Sequence, residues 1–134
     1  MATFKRFEDI ESWQLAREFC KMVSLLIQRE EFSKDYKLKD QINSSSGSIM
    51  DNIAEGFNRG GNMEFVNFLR YSKGSGGESQ SQLYRALDRN YITKNEFDAG
   101  YNLVEQINSK NQNLIKYLQK SEYSGPNYMN KKKT

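Results

Sequence analysis

Histidine is absent from the 134-residue chain, and Cys20 is its only cysteine. Without imidazole there is no His-based acid–base catalysis, no Ser–His or Cys–His nucleophile pair and no Cys/His zinc site. A single thiol cannot close an intramolecular disulfide. Proline is equally scarce: Pro126 stands alone, so the first 125 residues carry no obligatory helix breaker. No window approaches the apolar run of about 18 residues that spans a bilayer, and MATFKRFEDIESW carries charges where a signal peptide needs its apolar core. The expectation is a cytoplasmic protein with no membrane attachment.

Apolar residues are also sparse, at 37% of the chain and a mean hydropathy of -0.86, which predicts a thin core. Seventeen aromatics, 8 Tyr, 8 Phe and 1 Trp, partly compensate by their size. Charge of one sign is in short supply as well. Lys131, Lys132 and Lys133 account for the whole formal excess of +3, so the rest of the chain is balanced. Binding nucleic acid by counterion release needs clustered cations, and here Lys and Arg alternate with Asp and Glu.

What the chain does have is helical periodicity. Ile10, Trp13, Ala16, Phe19/Cys20, Val23 and Leu26/Ile27 form one stripe, and Leu38, Ile42, Ser45/Ser46, Ile49, Ile53 and Phe57 a second. Phe65, Phe68/Leu69, Ser72, Ser75/Gly76, Ser79, Leu83 and Ala86/Leu87 make a third. Phe97, Tyr101, Val104, Ile107, Leu114 and Leu118 make the fourth. Ser33 or Asp35 can cap the second helix, Asn62 the third, and Thr93 with Glu96 forms a capping box for the fourth. The spacing predicts helices near 9–30, 36–59, 63–89 and 94–121, and links this short force antiparallel neighbours. The fold class is therefore all-α, an antiparallel up-down-up-down four-helix bundle over residues 1–122, with a flexible basic tail at 123–134.

Two stretches invite a chemical interpretation. YSKGSGGESQ, residues 71–80, has the composition of a phosphate cradle, but such a loop follows a strand and opens a helix. Here it follows the helical pattern EFVNFLRY, so a kink at Ser75 and Glu78 is the better expectation. In a hairpin turning about residues 59–62, Gly74 falls level with Gly47 and Gly76 with Ser45. The glycine run then meets SSSGS across a tight seam, with Cys20 level with Ser46 on the other side as a small buried thiol. The second stretch, SIMDNIAEGFNR, sets Asp51 and Glu55 four apart on one face with Glu78 nearby. Carboxylate-bridged bundle metal sites pair Glu with His, and this chain has none. Asp51 and Glu55 are thus expected to be solvated charges, Asn52 an interhelical hydrogen-bond donor and Gly56 a point of close approach. No metal, cofactor or catalytic residue is predicted, for want of any general base tuned by its neighbours.

YKLKDQI, SIMDNIAEGFNR, EFVNFL, GSGGE and the closing NYI, together with FEDIESWQLA at 7–16, carry a resemblance over about residues 4–120. The chain resembles the four-helix-bundle family encoded in intervening sequences of bacterial 23S rRNA genes. The matching positions include Asn52, Glu55, Gly56, Gly74, Ser75 and Glu78. The resemblance implies a bundle without enzymatic activity that assembles as a homo-oligomer, a pentameric ring, and serves as a structural or adaptor protein. It also extends to the accessory variability determinants of diversity-generating retroelements, basic bundles that bind a reverse transcriptase and RNA or DNA. On that alternative, Arg59, Arg70, Lys73, Arg85, Arg89 and Lys131–Lys133 would contact nucleic acid. The neutral body sets this chain apart from those relatives. A less regular apolar set, Phe4, Leu15, Met22, Leu25, Met50, Tyr71 and Tyr84, is expected to form an interface between subunits.

Overall fold

The computed structural model describes residues 4–121, and the predicted basic tail with Lys131–Lys133 lies outside them. A 3-10 turn at Phe7–Asp9 leads into α1 (Glu11–Leu26), the short α2 (Glu30–Lys34), α3 (Tyr36–Arg59), α4 (Asn62–Asp88) and α5 (Lys94–Lys120). Among the described residues every regular element is helical. The four long helices pack in a closed cycle, α1 on α3, α3 on α4, α4 on α5 and α5 back on α1, the α3–α4 pairing being the most extensive. This is the expected antiparallel bundle.

Each boundary has a local cause. Asp35 accepts the Leu38 N–H at 3.2 Å and so caps α3. Gly60 ends α3 at φ 88°, a left-handed conformation that a side chain would strain. Thr93 and Glu96 form the predicted capping box of α5: Thr93 Oγ1 accepts the Glu96 N–H at 3.1 Å, and Glu96 Oε1 accepts the Thr93 N–H at 2.8 Å.

Three details differ from expectation. The first helix stops at Leu26, because the apolar stripe lapses in QREE and Arg29 turns extended. The separate α2 then folds Phe32, fully buried, against the Tyr91 ring at 5.1 Å. Asn62 is not a cap. Gly61 holds that position, while buried Asn62 donates from Nδ2 to the Leu118 carbonyl at 3.1 Å, tying α4 to the end of α5. Finally, α4 runs unbroken through Ser75 and Glu78, because the Ser75 hydroxyl donates to Ser48 Oγ at 2.8 Å instead of capping a new helix start.

The core is built mainly from the predicted stripes, joined by Phe32, Val66, Ile92 and Ile115, which lie outside them, while Phe57 and Tyr101 are only partly buried. Phe19, Leu38, Ile42, Ile49, Ile53, Leu69, Leu83, Ile107 and Leu118 are wholly buried. At one end of the bundle, Asp35 Oδ2 receives Arg89 Nη1 at 2.6 Å and the Tyr91 hydroxyl at 2.8 Å. Beside it Arg29 pairs with Glu96, so the α2–α3 junction is locked to the α4–α5 turn.

Candidate functional site

The middle of the bundle is polar, and its polarity comes from serines that the helical row 72, 75, 79 brings to face α3. Ser45 Oγ lies 2.7 Å from Ser79 Oγ and donates to Gln82 Oε1 at 2.6 Å. One turn along, Ser75 donates to Ser48 Oγ. Asn52 Nδ2 donates to the same oxygen at 2.9 Å and to the Ser48 carbonyl at 2.8 Å. Asn52 thus bonds within its own helix, not across helices as the sequence predicts. Further along, buried Ser72 donates to the Ile49 carbonyl at 2.8 Å and accepts from Asn111 Nδ2 at 3.1 Å, joining α3, α4 and α5 at one level. Asn111 Oδ1 is buried with no partner among the described residues.

The small-residue seam exists, but serines make it and the glycines do not. A Cβ on Gly76 would lie 2.9 Å from Asn108 Oδ1 and 3.0 Å from Val104 Cγ1, so Gly76 lets α5 approach, not α3. A Cβ on Gly47, Gly74 or Gly77 would meet nothing within 4 Å. Ser79, not Gly76, stands opposite Ser45, because the buried row of α4 advances by three or four residues and leaves Gly74 and Gly77 on the outer side. Gly56 is the close-approach point predicted: its Cβ would fall 2.6 Å from Phe68 Cβ. Cys20 lies level with Ser46 as expected, its thiol donating to the Ser46 carbonyl at 3.2 Å, but it is half-buried and not fully buried. Burial pushes its pKa up; the Ser46 bond opposes this, and the charge of Asp51 adds to it.

Among the described residues, four of the predicted basic side chains already hold partners within the bundle. Arg59 pairs with Glu55 at 2.8 Å and lies over the Phe68 ring. Lys73 donates to Gln112 on α5, Arg85 to Gln41 on α3 at 2.9 Å, and Arg89 to Asp35. Arg70 is exposed on the outer side of α4. Asp51 and Glu78 are exposed, and no group of His, Cys, Asp and Glu among the described residues has the geometry to hold a metal ion. No helix among them is long and apolar enough to cross a membrane.

The predicted apolar set divides. Leu25, Tyr71 and Tyr84 are more than half exposed, whereas Phe4, Leu15, Met22 and Met50 pack against the core. The sequence reading missed Met63 and Tyr36, which are exposed too. The outer side of α4 therefore carries Met63, Tyr71 and Tyr84 around the bare glycines 74 and 77. Tyr84 leans on Phe97 of α5 with ring centroids 4.6 Å apart.

Residues 8–113 match the family model described as 23S rRNA-intervening sequence protein. A solved structure of a protein of unknown function from the S23 ribosomal protein family of Bacteroides thetaiotaomicron has the same fold. It is similar with a TM-score of 0.71 and 24% identity, covering 78% of this chain and 98% of that one. No curated protein matches the chain.

Proposed function

The chain belongs to the 23S rRNA-intervening sequence protein family, and from that premise we propose that it works without catalysis, as a homo-oligomeric structural or adaptor protein whose subunits meet on the outer face of α4. The observation that carries this is the pair Gly74 and Gly77. Each costs a helix interior about 1 kcal/mol against alanine, and no contact among the described residues requires either. A second helix can come close over such a bare strip, with Tyr71, Tyr84 and Met63, all more than half exposed, as its apolar border. The pentameric ring implied by the resemblance would use this face once per subunit against a different face of its neighbour, as heterologous closed rings do.

Light scattering on the full chain tests the proposal. A mass several times the 15.6 kDa subunit is expected, fivefold for the ring. Gly74→Arg with Gly77→Arg should reduce it to one subunit while circular dichroism still reports a helical bundle. A wild-type monomer, or a double variant that stays assembled, would refute it.

A further inference from the structure

At the opposite end of the bundle from the Asp35 cluster, α1 begins with no side-chain cap. Its N-cap residue is Ile10, whose side chain offers no acceptor. The N–H groups of Glu11, Ser12 and Trp13 have no partner within the helix, as at any helix start. Beside them is a pocket of about 220 Å³ whose apolar wall is Phe4, Ile10 and Leu114. Its polar wall is Glu11, Ser12, Lys110 and Asn113. Ser12 is 2% exposed, and its hydroxyl finds no hydrogen-bond partner among the described residues. A buried hydroxyl left alone is costly, and this one lines a pocket that the start of a 16-residue helix borders.

We infer that this pocket is a binding site for a small organic carboxylate with a short apolar body. Three of its four polar lining residues offer donors, the Ser12 hydroxyl, the Asn113 amide and the Lys110 ammonium, and the start of α1 lies alongside; the fourth is the Glu11 carboxylate. Lys110 is balanced by Glu11 at 3.1 Å, so the net attraction left for an anion is the half-charge of the helix start. That suits a monoanion better than a phosphate dianion, which would also be set against Phe4, Ile10 and Leu114. The apolar wall in turn selects an acid with a few carbons attached. The same carboxylate chemistry occurs in a free short-chain acid and at the C-terminus of a peptide, where an amide N–H beside the carboxylate could also donate to Glu11.

The test is a titration of the full chain with 3-methylbutanoate, with N-acetyl-leucine as the peptide-end mimic and with inorganic phosphate, followed by amide NMR. Shifts centred on Glu11, Ser12 and Trp13 with either acid support the site, and the tighter of the two identifies the source. Ser12→Ala should weaken binding about tenfold, the scale of one hydrogen bond to a charged group, without lowering the melting temperature. Lys110→Gln should weaken it further, because Glu11 is then left unpaired. The inference is overturned if neither acid shifts those amides at about 10 mM. Phosphate binding more tightly than both acids, or Ser12→Ala binding as well as the wild type, overturns it too; the last outcome would mean that the hydroxyl serves water alone.

Discussion

The Tyr91 hydroxyl donates to Asp35 Oδ2 over 2.8 Å, joining residues 56 positions apart. The same carboxylate caps α3 through the Leu38 N–H and receives Arg89. The Tyr91 and Leu38 bonds, and the Arg89 charge, hold Asp35 below the usual carboxylate range, and Tyr91 is raised in return.

Asp35→Ala should therefore destabilise the bundle by about 1–2 kcal/mol in urea unfolding, the cost of a lost cap with its partners. Tyr91→Phe, which keeps the stacking on Phe32, should cost less. If Asp35→Ala leaves the urea midpoint unchanged, the cluster contributes nothing to stability.

Stability should fall in acid through Glu96. Its hydrogen bond from Arg29, then its backbone bond from Thr93, hold its pKa at about 2. A carboxylate depressed in the folded state stabilises above its unfolded pKa, near 4.3. That contribution should fade from roughly pH 4.3 down to pH 2, by about 1 kcal/mol for a partly exposed pair. Glu96→Gln should be less stable than the wild type at pH 7, with the gap closing by pH 2. A gap that persists at pH 2 would show that charge is not the cause.

Alanine at two glycines of α3 should act in opposite directions. At Gly56 the new Cβ would sit 2.6 Å from Phe68 Cβ, and forcing the helices apart costs about 2 kcal/mol. At Gly47 nothing lies within 4 Å, so Gly47→Ala should gain about 0.5–1 kcal/mol. Thermal unfolding of both variants measures the contrast, and equal effects at the two positions would contradict it.

The three-helix tie at Ser72 is expected to be asymmetric. Ser72→Ala deprives the buried Asn111 amide of the one side-chain bond it makes among the described residues and should cost about 1–2 kcal/mol. Asn111→Leu removes a buried carbonyl oxygen that has no partner among the described residues and leaves the Ser72 bond to Ile49 intact. It should be neutral, or raise the melting temperature. A large loss for Asn111→Leu would point to a partner for Oδ1.

The helices and their order were legible because apolar residues recur at helical spacing and Thr93 and Glu96 form a capping box that needs no tertiary context. Register was legible only in part. Cys20 meets Ser46 as the levels of two antiparallel rods require, but Ser45 meets Ser79 because the angle around the rod, as well as height along it, decides who faces whom. The glycines misled for the same reason: composition cannot say which side of a helix a bare position takes. Asn62 looked like a cap because a polar residue after two glycines is usually one, and only the end of α5 explains why it is buried. The α1 pocket gave no signal in the sequence, because Ser12 and Lys110, 98 positions apart, converge only in the folded bundle.

A joint made only of hydrocarbon lets one rod slide along another by a turn at little penalty. The paired hydroxyls between α3 and α4 behave differently. A displacement of part of a turn would separate Ser45 from Ser79, Ser75 from Ser48 and Ser72 from the Ile49 carbonyl at once and leave each dehydrated. They act like the teeth of a ratchet, rejecting every slip of the hairpin short of a whole turn, so the outer surface is held in step with the interior.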